Sequence, residues 1–309
     1  MAMKVLFITS TYLGDAIISS GILDQTIQNN PKARITVVAG SVPAPLFDNM
    51  PQVEKVIPLV KKKFSLHWFI LWFKCLFYRW DTIIDVRGTG ISYFLWTGKK
   101  YIWRSNADQD LKVHQFARWL GLKETPKNKI WVSDQDLTTA KKIFGKSKII
   151  SISPAANWDK KCWPLDYFVD LCNDLTKKGG ALEGHKIAVF GAPNQKKDLQ
   201  PLFDQLPDAL NLVGNINLPT VAACFQLSKI FIGNDSGLMH LAAASGVRTL
   251  GLFGPSPENI YGPWGGKALY IRTPESYDQA MAKSKSGENI MKNLQVKDVT
   301  AKIGEVLKL

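Results

Sequence analysis

Short apolar runs bounded by Gly, Asn, Asp or Pro recur along the whole chain. They fall at residues 4–10 (KVLFITS), 34–39 (RITVVA), 53–59, 80–88, 101–104, 148–154 (KIISISP), 185–191 (HKIAVFG), 211–213, 230–232, 249–253 and 270–272. Runs this short, without a polar residue at every second place, predict strands buried on both faces of a parallel sheet. Between them lie stretches with helical spacing. Residues 15–30 carry Ile17, Ile18, Leu23 and Ile27, and further helices are predicted over 111–121, from Pro164 onward, over 194–206 and 219–227, between the Asp235-Ser236 pair and Gly246, and over 296–309. Strands alternating with helices predict an α/β protein. Residues 276–290 read as weakly structured, and the polar, lysine-rich run 133–147 reads as a connection between domains.

At 309 residues the chain exceeds the size at which one core keeps growing, so two domains are expected, 1–145 and 146–309. The last helix is free to pack back on the first of them. Charge divides unevenly between the halves. Residues 1–148 hold 22 Lys and Arg against 11 Asp and Glu, whereas the remainder holds 17 against 15. The basic first half points to an anionic partner. Cys75, Cys162, Cys172 and Cys224 form no CxxC pair and have no His at metal spacing, which fits plain buried thiols in a reducing, cytoplasmic setting. The chain enters a strand at Lys4 without a signal-peptide pattern. No nucleic-acid-binding module is recognised.

Residues 61–80, KKKFSLHWFILWFKCLFYRW, stand apart. The apolar part is too short for a membrane span and carries His67, Lys74 and Arg79. Two readings remain. Three lysines leading into a Trp- and Phe-rich helix suit the surface of an anionic bilayer, and a crossover helix buried on both sides suits the interior of the first domain.

Residues 229–254, KIFIGNDSGLMHLAAASGVRTLGLFG, read as strand, turn, helix, turn and strand. Asp235 or Ser236 is placed to cap the helix, and Gly246 to stop it. Gly237 in the first turn lets a ligand approach the backbone, and the unpaired N–H groups of a helix start suit a phosphate or diphosphate. His240 lies four residues after Ser236 on the same face. An ordinary capped βαβ unit has the same spacing. At the other end of the chain, Asp15 follows the first strand, where doubly wound folds bind ligands, and there too a helix cap is the alternative.

The string Asn234–Ala244 resembles the D-[ST]-G-x-x-H-x-A-A signature of glycosyltransferase family 9, the heptosyltransferases of lipopolysaccharide core assembly. Lys161-x-Trp163-Pro164 resembles the K-x-W-P motif of that family, Gly14-Asp15 its G-D pair after the first strand, and residues 80–88 its yD-x-x-x-D-x-x-G segment. The resemblance implies a GT-B fold, two Rossmann-like doubly wound domains facing across a cleft. It implies inverting transfer of a sugar, a heptose from ADP-heptose, to an anionic lipid-linked glycan. Asp15 would be the general base and Lys161 would stabilise the leaving diphosphate. Asp235, Ser236, Gly237, Leu238 and His240, with Gly14, Pro154 and Asn157, would hold the nucleotide sugar, and Arg87, His114 and Arg118 the acceptor. No metal and no cofactor are implied, because the donor is itself a substrate. The implied location is the cytoplasmic face of the inner membrane, against its anionic surface.

Three positions depart from the family pattern. Thr9 stands where many relatives have Arg, Gly21 where they have Pro, and Pro219-Thr220 where a glutamate usually meets the donor ribose. The last departure leaves open another donor, such as a UDP-sugar, or a sugar-nucleotide epimerase. A non-catalytic basic protein bound to membrane or nucleic acid is the reading from outside enzymology.

Overall fold

The computed structural model describes residues 2–105 and 107–309. The chain forms two compact units, Met1–Trp131 and Val132–Leu309. The first contains β1 (Lys4–Ile8), α1 (Leu13–Ile18), α2 (Ser20–Asn29), β2 (Arg34–Gly40), β3 (Val53–Leu59), α3 (Leu66–Leu76), β4 (Trp80–Asp85), β5 (Thr97–Ile102) and α4 (Lys112–Trp119). Its five strands are all parallel, in the order β3-β2-β1-β4-β5. The chain starts in the middle, builds outward to one side, then returns to the other. That reversal makes β1 and β4 neighbours and leaves a crevice beyond their C-terminal ends, the place where such sheets bind ligands.

The second unit runs α5 (Asp134–Phe144), β6 (Ile149–Ser153), α6 (Leu165–Thr176), β7 (Lys186–Val189), α7 (Gln200–Gln205), β8 (Leu210–Asn211), α8 (Leu218–Leu227), β9 (Ile230–Asn234), α9 (Gly237–Ala244), β10 (Thr249–Phe253), α10 (Glu258–Tyr261), β11 (Ala268–Arg272), α11 (Tyr277–Lys285) and α12 (Val296–Val306). Its six parallel strands take the order β11-β10-β9-β6-β7-β8, so the reversal lies between β6 and β9. Every residue of β6, β9 and β10 is buried, as strands covered on both faces require. Ile150, Ile152, Ile230, Ile232, Leu250 and Leu252 share one core with Trp163, Phe168 and Ile303.

Three expectations change. The helix expected over 15–30 is two helices broken at Ser19, whose hydroxyl donates to Ala16 O (2.8 Å) and meets the Thr9 hydroxyl at 2.6 Å. A serine that bonds its own preceding turn competes with the helix ladder and bends it. The run 133–147 is no linker. It folds as α5, capped by Ser133, and packs on α8 through a buried bond from Thr220 Oγ1 to Asp136 Oδ1 (2.8 Å), so the division falls at 131/132 rather than 145/146. Residues 276–290 contain α11, begun by a capping box between Ser276 and Gln279. The last helix, α12, packs on α6, β10 and β11 of its own unit.

Candidate active site

In the second unit two loops leave the sheet side by side at the point of reversal, one after β6 and one after β9. Asn234, the last residue of β9, is wholly buried and ties them together. Its amide donates to Pro154 O (2.6 Å) and accepts from the backbone N–H of Trp163 (3.0 Å). Trp163 is itself buried, with its indole N–H on Leu294 O at 2.8 Å. The loop carrying Lys161 is thereby pinned at Pro154 and Trp163, and its length brings Lys161 Nζ to Asp235 Oδ2 at 2.5 Å. The Asp235 carboxylate is only 7% exposed and the Lys161 side chain 27%.

Asp235 or Ser236 was expected to cap the helix, and neither does so with its side chain. Ser236 occupies the N-cap position of α9 but makes no side-chain cap bond, and its Oγ is buried without a partner. Asp235 turns to Lys161 instead. The first turn of α9 therefore offers backbone N–H groups, beginning at Gly237, beside an ammonium group and an unpaired hydroxyl. An anion of diphosphate type fits that set of donors. Leu238 is half-buried, and His240 is buried one turn along α9. Asn157 lies on the exposed part of the loop between Pro154 and Lys161.

In the first unit Gly14 and Asp15 lie in the first turn of α1, beyond β1. Asp15 is not the cap: Tyr12 takes that position, and Asp15 sits three residues inside with its carboxylate accepting from Ser10 Oγ at 3.3 Å. Arg87 follows β4, at the same point of reversal, and donates to Thr11 Oγ1 (2.9 Å) while its guanidinium lies 5.2 Å from the centre of the Trp68 ring. The loop after β4 is held by Asp85. This buried carboxylate accepts from Gly88 N, Thr89 N, Thr89 Oγ1 and Ser92 Oγ. Burial pushes its carboxyl above the ordinary range, against the opposing pull of those four bonds. Gly88 has φ +72°, and a Cβ there would stand 2.4 Å from Trp103 O, so only glycine fits the turn.

His114 and Arg118 bond to the acids that precede α4. His114 Nδ1 meets Asp110 Oδ1 at 3.0 Å, and Arg118 reaches both Asp108 and Asp110. Arg118, followed by His114 and the Leu111 N–H, holds the Asp110 carboxyl down to about 2. These bonds hold the segment that leads into α4.

Three residues escaped the sequence reading. Asn234 was visible within the motif but carried no charge to mark it. Lys112, on α4, rests 5.0 Å from the Trp103 ring centre, and burial lowers its ammonium pKa while Asp15 and Asp108 pull it up. A cation close enough to feel Asp15 had no sequence spacing to reveal it. Arg272 makes a two-toothed pair with Glu258 (2.8 Å to each oxygen) that fixes the Gly254–Pro257 turn. Thr220, at the departure from the family pattern, is buried, and its hydroxyl is already used on Asp136. Gly21 has a matching physical reason: a Cβ there would stand 2.7 Å from Lys127 O. Among the described residues no three His, Cys, Asp or Glu side chains converge as metal ligands would.

Comparison with known proteins decides the family. The model of glycosyltransferase family 9 (heptosyltransferase) matches residues 103–291, more than half of the chain. The chain belongs to glycosyltransferase family 9. Lipooligosaccharide heptosyltransferase 2 of Haemophilus influenzae is 27% identical over 314 residues, covering 88% of this chain and 89% of that one. Among solved structures, the Escherichia coli ADP-heptose lipopolysaccharide heptosyltransferase II superposes with a TM-score of 0.77 at 20% identity, over 99% of each chain. The E. coli heptosyltransferase WaaC with ADP gives 0.73 at 19%, over 98% of this chain and 100% of that one. The fold class of this family 9 glycosyltransferase is GT-B, and membership sets aside the reading as a non-catalytic basic protein. No helix among the described residues is long and apolar enough to cross a membrane.

Proposed function

We propose that this glycosyltransferase moves a heptose from ADP-heptose to a lipopolysaccharide-core acceptor, an anionic lipid-linked glycan met at a membrane surface, with inversion at the anomeric carbon. The observation that carries the reading is the Lys161–Asp235 pair at the start of α9, beside the unpaired Ser236 hydroxyl. It is supported by the ADP-bound relative of the same fold. The second unit holds the donor diphosphate on Lys161, the Ser236 hydroxyl and the backbone N–H groups from Gly237. In the first unit, Asp15 takes the proton of the attacking acceptor hydroxyl. A bond forms from that oxygen to the anomeric carbon as the bond from the carbon to the β-phosphate oxygen breaks, and ADP leaves with the electron pair. The charge that develops on the diphosphate is met by the Lys161 ammonium, a donor already in place before reaction.

A different nucleotide is the second reading, favoured by one observation: Thr220 spends its hydroxyl on Asp136, so the start of α8 offers no free acid to a ribose. A thermal-shift comparison of ADP, UDP, ADP-heptose and UDP-glucose separates the two, because a ligand that binds the native state raises the melting temperature. Stabilisation by ADP and ADP-heptose alone is expected. Stabilisation by UDP compounds alone would replace ADP-heptose with a uridine donor.

A further inference from the structure

The helix α3 has an inner face and an outer face, and both are apolar. Leu71 and Cys75 are buried in the core with Leu6, Ile8 and Trp80, and Trp68 and Trp72 pack against it. The outer face shows Phe69 at 62% exposure and Phe73 at 56%, with Ile70 and Phe77 also exposed. A helix on the surface of a soluble protein carries polar residues on that side, so this face lacks its cover.

The surface continues beyond the helix. Trp72 Nε1 donates to Phe94 O (3.1 Å) and joins α3 to the turn over Gly90–Phe94. Tyr93 is in turn held by Lys100 on its carbonyl and ring and by Arg104 on its hydroxyl, which joins the turn to β5. Phe94 and Trp96 stand out from this assembly at 73% and 79% exposure. Between α3 and the turn lies a cavity of about 640 Å³ lined by Trp68, Phe69, Trp72, Arg87, Ile91 and Phe94. The helix is entered through Phe64 and Ser65, both in the left-handed region with φ of 53° and 57°, a conformation such residues rarely adopt.

Charge selects the occupant. From Lys61 to Arg104 the chain has nine Lys and Arg against two acids. Of those acids, Asp85 is buried in its own loop and Asp81 accepts from the Lys4 N–H. Pairing this face with a second copy of itself would bring like charges together. An anionic bilayer matches both features, since aromatic side chains settle at the headgroup level and lysines beside them gain from the surface potential.

We infer that the outer face of α3, with the turn bearing Phe94 and Trp96, docks on an anionic lipid bilayer, inserting Phe69, Phe73 and Phe94 while Lys61, Lys62, Lys63 and Lys74 meet the headgroups. This rests on the proposed function only in supplying a reason to be at a membrane, and its test reads no turnover. The full chain is mixed with phosphatidylcholine vesicles with and without phosphatidylglycerol and sedimented. Binding to the anionic vesicles only is expected, weakened more than tenfold in Phe69→Ser/Phe73→Ser and by about fivefold for each lysine changed to Gln. The melting temperature of each variant reports its folding, and Phe94→Ser/Trp96→Ser provides an independent pair if the first fails to fold. Equal binding to neutral and anionic vesicles overturns the inference, as does unchanged binding by both aromatic pairs. A dimer in the ultracentrifuge that those substitutions abolish would assign the face to a second copy instead.

Discussion

Replacing Lys161 with Met removes the ammonium group and keeps most of the stem. In the free protein it leaves the Asp235 carboxylate, 7% exposed, without the cation now 2.5 Å away. Breaking a buried pair in this one-sided way costs about 3–5 kcal/mol, because the remaining charge stays desolvated. Lys161 is 27% exposed, so water replaces part of its effect, and the low end, about 3 kcal/mol, is expected. For a unit the size of residues 132–309, each kcal/mol lowers the melting temperature by about 2–4 °C, which gives a drop of roughly 6–12 °C. Adding Asp235→Asn removes the stranded charge, so the double variant should melt above Lys161→Met alone, a coupling that differential scanning calorimetry reads directly. Binding and turnover should move separately: Lys161→Met should lose most of the stabilisation by ADP and cut turnover by roughly tenfold to a thousandfold. An unchanged melting temperature in Lys161→Met, or a double variant less stable than the native chain by the full sum of the two single changes, would refute the electrostatic account of this pair.

Two other outcomes follow from named contacts. Thr220→Ala leaves Asp136 Oδ1 without its buried donor and should cost about 1–3 kcal/mol in urea unfolding, while Thr220→Ser, which keeps the hydroxyl, should cost less. Asp110 is held down to about 2, chiefly by Arg118, so its bonds to α4 contribute stability above the unfolded value of about 3.9 and lose it as pH falls from there toward 2. A carboxyl-carbon NMR titration should find that low value, and Arg118→Gln should raise it.

Much of the site was legible because strand-end chemistry is written locally. Residues 230–254 show their strand, turn and helix as apolar runs and a glycine, and the loop from Pro154 to Pro164 has its Lys and Trp at a recognisable spacing. What was not legible depends on partners far along the chain. The bond from Thr220 to Asp136 crosses 84 positions and turns an apparent linker into a helix of the second unit. The hydroxyl pair Thr9–Ser19 breaks a helix that periodicity alone carries through. Of the two roles weighed for 61–80, burial on both sides is overturned: the inner side of α3 is core, while Phe69, Phe73 and Phe77 on the outer side are exposed. The α11 start was readable, since Ser276 and Gln279 are spaced as a capping box, but the lysines and serines beyond it masked the helix.

The central claim is that this chain transfers heptose from ADP-heptose with Asp15 as the base, and one measurement tests it most directly. Purified protein is given ADP-heptose and lipid-linked lipopolysaccharide core, and heptose transfer is followed by mass for the native chain and for Asp15→Asn. Asp15 makes no cap bond, so Asn should fit its place with little loss of stability, while a base that cannot accept a proton should lower turnover by on the order of a hundredfold or more. Transfer by the native chain with that loss in Asp15→Asn is the predicted result. Undiminished transfer by Asp15→Asn, or transfer by the native chain from UDP-glucose but not from ADP-heptose, would contradict it.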